Sequence, residues 1–234
     1  MNVKHEMDTM RNCLNAAKSA GVKHICLSSL EDCRELINKA DNKDTWKVIG
    51  DESLGMYVPH LDGKGQVTKE FADSGLPVTN FLTSFYYENF IYFGMGPAKH
   101  GDGPHAITFP MGDMKKTMVS VADIGKAACA ILRDPNTIGK TVGVTSDILT
   151  CKEIADTFSK VLGVPVVYND VPTEVYASFG FPGADDLANM FRYEKEFQKE
   201  FLSNREMSSD FIEKMGGRES FEDWLTANKN AFKL

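Results

Sequence analysis

The chain has 234 residues, enough for one large α/β domain or for a domain with a smaller lobe. Its 42% hydrophobic and 25% charged content excludes bulk disorder, and no apolar run approaches the roughly 18 residues of a membrane span. A formal charge of -7 argues against loose nucleic-acid binding, which needs a basic surface.

The N-terminal stretch has no continuous apolar core like that of a signal peptide. Its apolar positions Met7, Met10, Leu14 and Ala17 instead predict an amphipathic helix over 3–20, stopped by Gly21. "VKHICLSSLED" reads as a buried strand ending in Ser28 and Ser29, where ligands of open parallel sheets sit. Two serines can equally well just close a strand. Residues 33–57 are charged and irregular and read as a surface excursion. A helix around Lys64 follows, burying Val67 and Phe71 one turn apart and ended by Gly75. "LPVTNFLTSFYYENF" is expected as one buried strand whose carboxyl end carries Tyr86, Tyr87, Glu88 and Asn89.

"GMGPAKHGDGP" is a loop. In "SVADIGKAACAIL", Ser120 and Asp123 predict a capping box, with Val121, Ile124, Ala128 and Ile131 on one face. Thr150 and Glu153 repeat the box, and Gly163 stops that helix. "KTVGVTS" and "PVVYNDV" are strands on either side of it. Pro182 suits the first turn of a helix that contains Asp185, Asp186, Met190 and Phe191, and Ser220 caps a last one. The five cysteines (Cys13, Cys26, Cys33, Cys129, Cys151) form no C-x-x-C pair, and an odd number without a framework suits a reducing cytosol. His100 and His105 have no partners at metal-ligand spacing, so no metal is expected.

Four separated stretches, "AGVKHICLSSLED", "HLDGKGQVTKEF", "FYYENF" and "GFPGADDLANMFRY", with "VSVADIG" between them, resemble the NmrA-like family of atypical short-chain dehydrogenase relatives over nearly the whole chain. The resemblance implies a Rossmann-like fold and NADP(H) as cofactor. It matches Lys64 to a lysine on the nicotinamide ribose, where an ammonium's three donors suit ribose hydroxyls. It matches Tyr86, Tyr87, Glu88 and Asn89 to a stretch along the nicotinamide, and places Phe191 near the pocket. Ser28 and Ser29 complete the cofactor-binding candidates.

Two departures shape the expectation. None of the seven tyrosines stands four residues before a lysine, the spacing of a short-chain reductase's proton-relay pair. His60 holds that position relative to Lys64, either as a proton-transfer residue or as a histidine in a helix's first turn. Nothing precedes the helix of 3–20 where the family has a strand and a Gly-rich turn, and Gly101-x-Gly103-x-x-Ala106 leads into "ITF" rather than a helix. The expected architecture is therefore an N-terminally incomplete Rossmann-like parallel sheet with a smaller α/β C-terminal portion. Residues 1–95 form the partial NAD(P)-binding region, and 96–234 the C-terminal portion, partly interleaved with the sheet.

The family resemblance implies an NADP(H)-responsive sensor or regulator of the cytoplasm, with the nucleus left open, acting on an unidentified protein partner. Reductase activity is not expected, and cofactor binding is expected to be impaired. The alternatives are a reductase of quinones or other small carbonyl compounds and a remnant that only contacts other proteins. Homo-oligomerisation is left open; neither nucleic acid nor membrane is expected as a partner.

Overall fold

Residues 2–99 and 101–234 are described by a computed structural model. Helix α1 (Val3–Ala20) starts where Asn2 Oδ1 accepts from His5 N at 3.1 Å and stops at Gly21, whose φ of 61° is left-handed. Strand β1 (Ile25–Ser29) and the short α2 (Arg34–Ile37) follow, then α3 (Pro59–Ala72), with Pro59 in its first turn where no N–H is needed. The apolar stripe of α1 meets α3 and the sheet in one cluster: Met7, Leu14, Leu27, Val67, Phe71 and Val78. A Cβ on Gly65 would lie 2.3 Å from the Asp32 backbone N, so α3 passes directly against the loop after β1.

Strand β2 (Val78–Leu82) runs parallel to β1 in the register Ile25↔Val78 to Ser29↔Leu82. The stretch expected as one strand breaks at Thr83–Ser84 into β2 and β3 (Phe85–Tyr86), which lie in different sheets. Ser84 Oγ donates to Val144 O at 2.8 Å, a side-chain bond at the point where the ladder is interrupted. After α4 (Asn89–Tyr92) come β4 (Ala98–Lys99), β5 (His105–Phe109), β6 (Lys115–Val119), α5 (Val121–Arg133), β7 (Thr141–Gly143), β8 (Asp147–Thr150), α6 (Cys151–Leu162) and β9 (Val166–Asp170). The chain closes with α7 (Thr173–Ala177), α8 (Ala184–Glu196), α9 (Gln198–Ser203), α10 (Ser209–Lys214) and α11 (Phe221–Asn228).

Among the described residues three sheets result, ordered β1-β2-β7, β3-β6-β8 and β4-β5-β9. In the first all pairings are parallel, and β1 is an edge strand paired on one side. The pairings cross residue 95 both ways: β7 returns to β2, and β3 leaves to join β6. The mixed α/β chain with parallel strands and helices packed against them is Rossmann-like.

Some local expectations change. Residues 33–57 are no mere surface excursion: Cys33, Ile37, Trp46 and Met56 are buried, because the segment folds back over α3 and α8. Strands β6 and β8 carry no clear alternation in sequence and find their place only by pairing with each other. Ser120 Oγ caps Asp123 N at 3.1 Å, but the Asp123 carboxylate does not return to Ser120. It takes Lys126 Nζ, Ser146 Oγ and Glu219 N instead, so half the expected box forms. Of the expected face, Ile131 is buried and Ile124 and Ala128 pack against the core, while Val121 is exposed and Ala127 and Ala130 are buried instead. The Thr150–Glu153 box is complete. Helix α8 starts after Gly183 at φ 84°, leaving Pro182 outside it.

Candidate functional site

An open cavity of about 1050 Å³ lies between the first sheet's connections and α8. One wall is α3. His60 and Lys64 stand one turn apart there, so the 3.6-residue repeat puts both heads on one face. A second wall is the β2–β3 break and α4, which bring Thr83, Phe85, Tyr86 and Asn89. The α8 side brings Asp186, Leu187, Met190 and Glu194, and the 33–57 segment adds Ile49 and Met56. The lining is largely apolar with a few convergent polar groups, the usual constitution of a small-molecule site.

His60, Lys64, Tyr86 and Asn89 thus come together at the cavity, while Ser28, Ser29, Tyr87 and Glu88 do not line it. Ser28 is exposed, and Ser29 is buried with its Oγ 2.5 Å from Thr68 Oγ1, which fastens β1 to α3. Tyr87 is fully buried against Phe221 and Trp224, its hydroxyl donating to Glu219 O at 3.3 Å, and burial pushes its pKa far up. Glu88 accepts from Val121 N at 3.1 Å and so serves the start of α5. On a segment that turns from strand into helix, neighbouring residues point to different sides, and of Tyr86, Tyr87, Glu88 and Asn89 the first and last line the cavity. Phe191 is wholly buried behind it, against Phe109 and Tyr176.

Each cation on these walls has a carboxylate partner except at the rim. Lys64 Nζ lies 2.8 Å from Glu6 Oε1 of α1, whose Oε2 is buried with no partner among the described residues. Arg205, 1% exposed, is held by both oxygens of Glu31, by Thr83 O at 3.0 Å and by Phe201 O at 3.3 Å. Lys4 is exposed on the first turn of α1. His60 Nδ1 lies 2.8 Å from Asp186 Oδ1, with both side chains largely buried. That bond fixes the imidazole and leaves Nε2 as its other working nitrogen. Asp186, in the first turn of α8, is therefore a partner of His60 across 126 positions of chain.

Asp62 holds the α3 wall in place. Wholly buried, it accepts from Cys33 N at 2.7 Å, Tyr57 N at 2.8 Å and Val58 N at 2.9 Å. Burial raises its pKa above the ordinary 3.8, although those three donors pull the other way. Sequence reasoning missed Asp62, Glu194 and Arg205. Glu194 leaves one trace, a carboxylate among the apolar residues of a helix, whereas Asp62 lies in a polar first turn and Arg205 in the turn after α9, and neither stands out in sequence.

The Gly101–Ala106 run lies in the β4–β5 hairpin, where Lys99 pairs with His105. The helices that directly follow strands, α5 and α6, open on Ser120 and Thr150 caps rather than on glycine turns. Among the described residues no group of three or more His, Cys, Asp or Glu side chains could hold a metal; His105 is in β5, and His100 lies outside the described residues. No helix of the described chain is long and apolar enough to cross a membrane.

A parallel sheet with a cavity where strands give way to helices defines a Rossmann-like fold. The chain belongs to the NmrA-like family, whose model matches residues 1–225. It is 29% identical over 185 residues to quinone oxidoreductase 2 of Escherichia coli (strain K12), covering 77% of this chain and 56% of that protein, so it spans little more than half the relative's length. Its fold is similar to NmrA, a negative transcriptional regulator, with a TM-score of 0.74 at 20% identity over 97% of this chain and 73% of the other. It is similar also to an NADPH-dependent quinone oxidoreductase from Escherichia coli complexed with NADPH, with a TM-score of 0.66 at 22% identity over 94% and 71% of the two chains.

Proposed function

We propose that this chain is a nicotinamide-nucleotide-responsive regulator of the NmrA type that works through contacts with a protein partner rather than by turnover. Its relatives include a transcriptional regulator solved with NADP and a reductase solved with NADPH, which supports NADP(H) as the ligand class. The cavity residues fit the nicotinamide–ribose end. Lys64 and Asn89 can reach ribose hydroxyls and carboxamide, and Tyr86, Phe85 and Met56 offer apolar wall to a planar ring.

The fit to the diphosphate is poor. Lys64 and Arg205 are already engaged by Glu6 and Glu31, and α8, whose start at Gly183 lines the cavity, carries Asp185 and Asp186 in its first turn, which disfavour an anion there. That engagement of the wall cations is the observation that carries the reading: the chain holds NADP(H) loosely and responds to its concentration. A cytoplasmic location with access to the nucleus suits such a regulator. Calorimetric titration with NADPH tests it. The expected dissociation constant is about 0.1 mM or weaker, further weakened by Lys64→Ala, with no NADPH consumption when quinones are added. Tight binding or steady turnover would count decisively against it.

One observation favours a second reading, a reductase of quinones or small carbonyl compounds. Four residues before Lys64 stands a histidine oriented by a carboxylate, an arrangement suited to general acid work at Nε2. Bound NADPH supplies the hydride in such chemistry; His60 would hold the proton that the acceptor oxygen takes up. NADPH oxidation that depends on the quinone and is lost in His60→Ala supports this reading, and its absence in the unmodified protein removes it.

A further inference from the structure

Lys116 is a fully buried lysine on β6, and its Nζ makes one hydrogen bond, to Glu194 Oε2 at 2.8 Å. The Phe85 and Phe191 rings each lie 4.5 Å from that nitrogen, so the ammonium is gripped between two aromatic faces. The Glu194 side chain is only 5% exposed. It lines the cavity, and its second oxygen, Oε1, has no protein partner among the described residues yet is not sealed from solvent. A buried ion pair is a poor device for stability, because two apolar side chains of similar volume pack at least as well without the desolvation cost. What the pair provides here is an acceptor of fixed orientation, opening from the core onto an apolar cavity.

We propose that the Lys116–Glu194 pair is a ligand-recognition site that selects aromatic hydroxyl compounds. The carboxylate's charge is already balanced by Lys116, so a second cation gains little there, whereas a neutral O–H donor completes the unfilled valence of Oε1. A carbonyl or ether oxygen in the same place has no proton to give and would face a carboxylate oxygen. Phe85 and Met190 line the cavity beside Glu194 and supply the surface for a flat apolar body. The selection therefore runs toward phenols and aromatic alcohols and away from the corresponding ketones, quinones and ethers. The cavity is the one assigned above to nicotinamide, but this recognition needs no nucleotide, and a test run without one leaves the two readings separable.

The probes are 2-naphthol and 2-methoxynaphthalene, which share a ring system and differ in the donor, titrated by ligand-observed NMR in the absence of nucleotide. The expected result is that the naphthol binds at least about tenfold tighter. Lys116→Met combined with Glu194→Leu, which removes both charges together, brings the ratio below about twofold while leaving the ether's affinity nearly unchanged. Leu187→Trp fills the cavity and abolishes binding of both probes. Thermal melting checks that the double variant is folded; where it is not, the ratio in the unmodified protein and the Leu187→Trp block decide. Equal affinities, binding of neither probe at millimolar concentration, a preference that survives the double variant, or binding untouched by Leu187→Trp each overturns the proposal.

Discussion

The cavity's two banks are built differently. The α1–α3 bank rests on a mostly aliphatic cluster around Met7, Leu14 and Val67, on a sheet whose edge strand β1 is paired on one side, and on ion pairs such as Arg11–Glu70 at 2.8 Å. The opposite bank rests on an aromatic body. Phe90, Phe158, Phe221, Trp224 and Phe232 meet in a chain of ring contacts with centroids 5.2–6.5 Å apart, continued through Phe109 to Phe191 and Tyr176. Interlocked rings in edge-to-face geometry tolerate little displacement, whereas an aliphatic cluster with partly exposed ion pairs can shift at modest cost. The difference assigns the roles: the aromatic bank is a fixed floor carrying Phe85 and Glu194, and the α1–α3 bank carries the adjustable Lys64, with His60 held by its bond to Asp186 of α8.

The strongest challenge to that contrast is a matched pair of truncations. Phe221→Ala should cost about 3–5 kcal/mol, and Leu14→Ala on α1 about 2–3 kcal/mol, in urea denaturation. An equal or reversed order would remove the claim that the aromatic bank is the stiffer one. Next comes the seam between the banks. A Cβ on Gly143 of β7 would lie 2.0 Å from Asn204 O and 2.5 Å from Arg205 Cα, both backbone atoms. Gly143→Ala should therefore cost about 1–3 kcal/mol or more, and it should loosen the Arg205–Glu31 contact at the cavity edge, visible as faster amide exchange around Phe201. Unchanged stability would mean that the two backbones separate without strain.

A smaller effect concerns Lys64. Glu6→Gln removes its carboxylate partner, and NADPH affinity should rise about three- to fivefold by calorimetry, the scale of a partly exposed ion pair. No gain would show that Glu6 does not compete for Lys64.

The smallest effect is in pH dependence, where the banks carry opposite signs. Asp62 has its folded pKa raised above 3.8 by burial, so the folded state holds that proton more tightly, and its contribution to stability falls as pH rises through the window above 3.8. For Asp123, burial pushes the pKa up, but Lys126, Ser146 and the Glu219 N–H outweigh it and bring it below 3.8. Its contribution is present above 3.8 and is lost as pH falls through the lower folded value. In urea midpoints followed from pH 5 downward (about two units), Asp123→Asn should flatten the acid loss of stability, and Asp62→Asn should steepen it.

The elements legible in sequence are those defined by short-range patterns. Helix α1 follows from its apolar spacing and Gly21, and α6 from the Thr150–Glu153 box and Gly163, because caps and amphipathic stripes are satisfied within a few residues. The site was half legible: the order of motifs pointed to His60, Lys64, Tyr86 and Asn89, while Tyr87 and Glu88 shared the motif without sharing the cavity. The β2–β3 break was not legible, since it depends on Val144 and on a second sheet to which residues about 30 positions away contribute.

By itself, then, the sequence determined an NmrA-like α/β chain, its capped helices, and a lysine preceded by histidine rather than tyrosine. Only the tertiary structure decided which charges meet: Lys64 with Glu6, His60 with Asp186, Arg205 with Glu31, and Lys116 with Glu194. The physical reason is that a buried charge must find its counter-charge, and a partner 58 to 174 positions away is set by how the layers pack, to which no local pattern in the chain is sensitive.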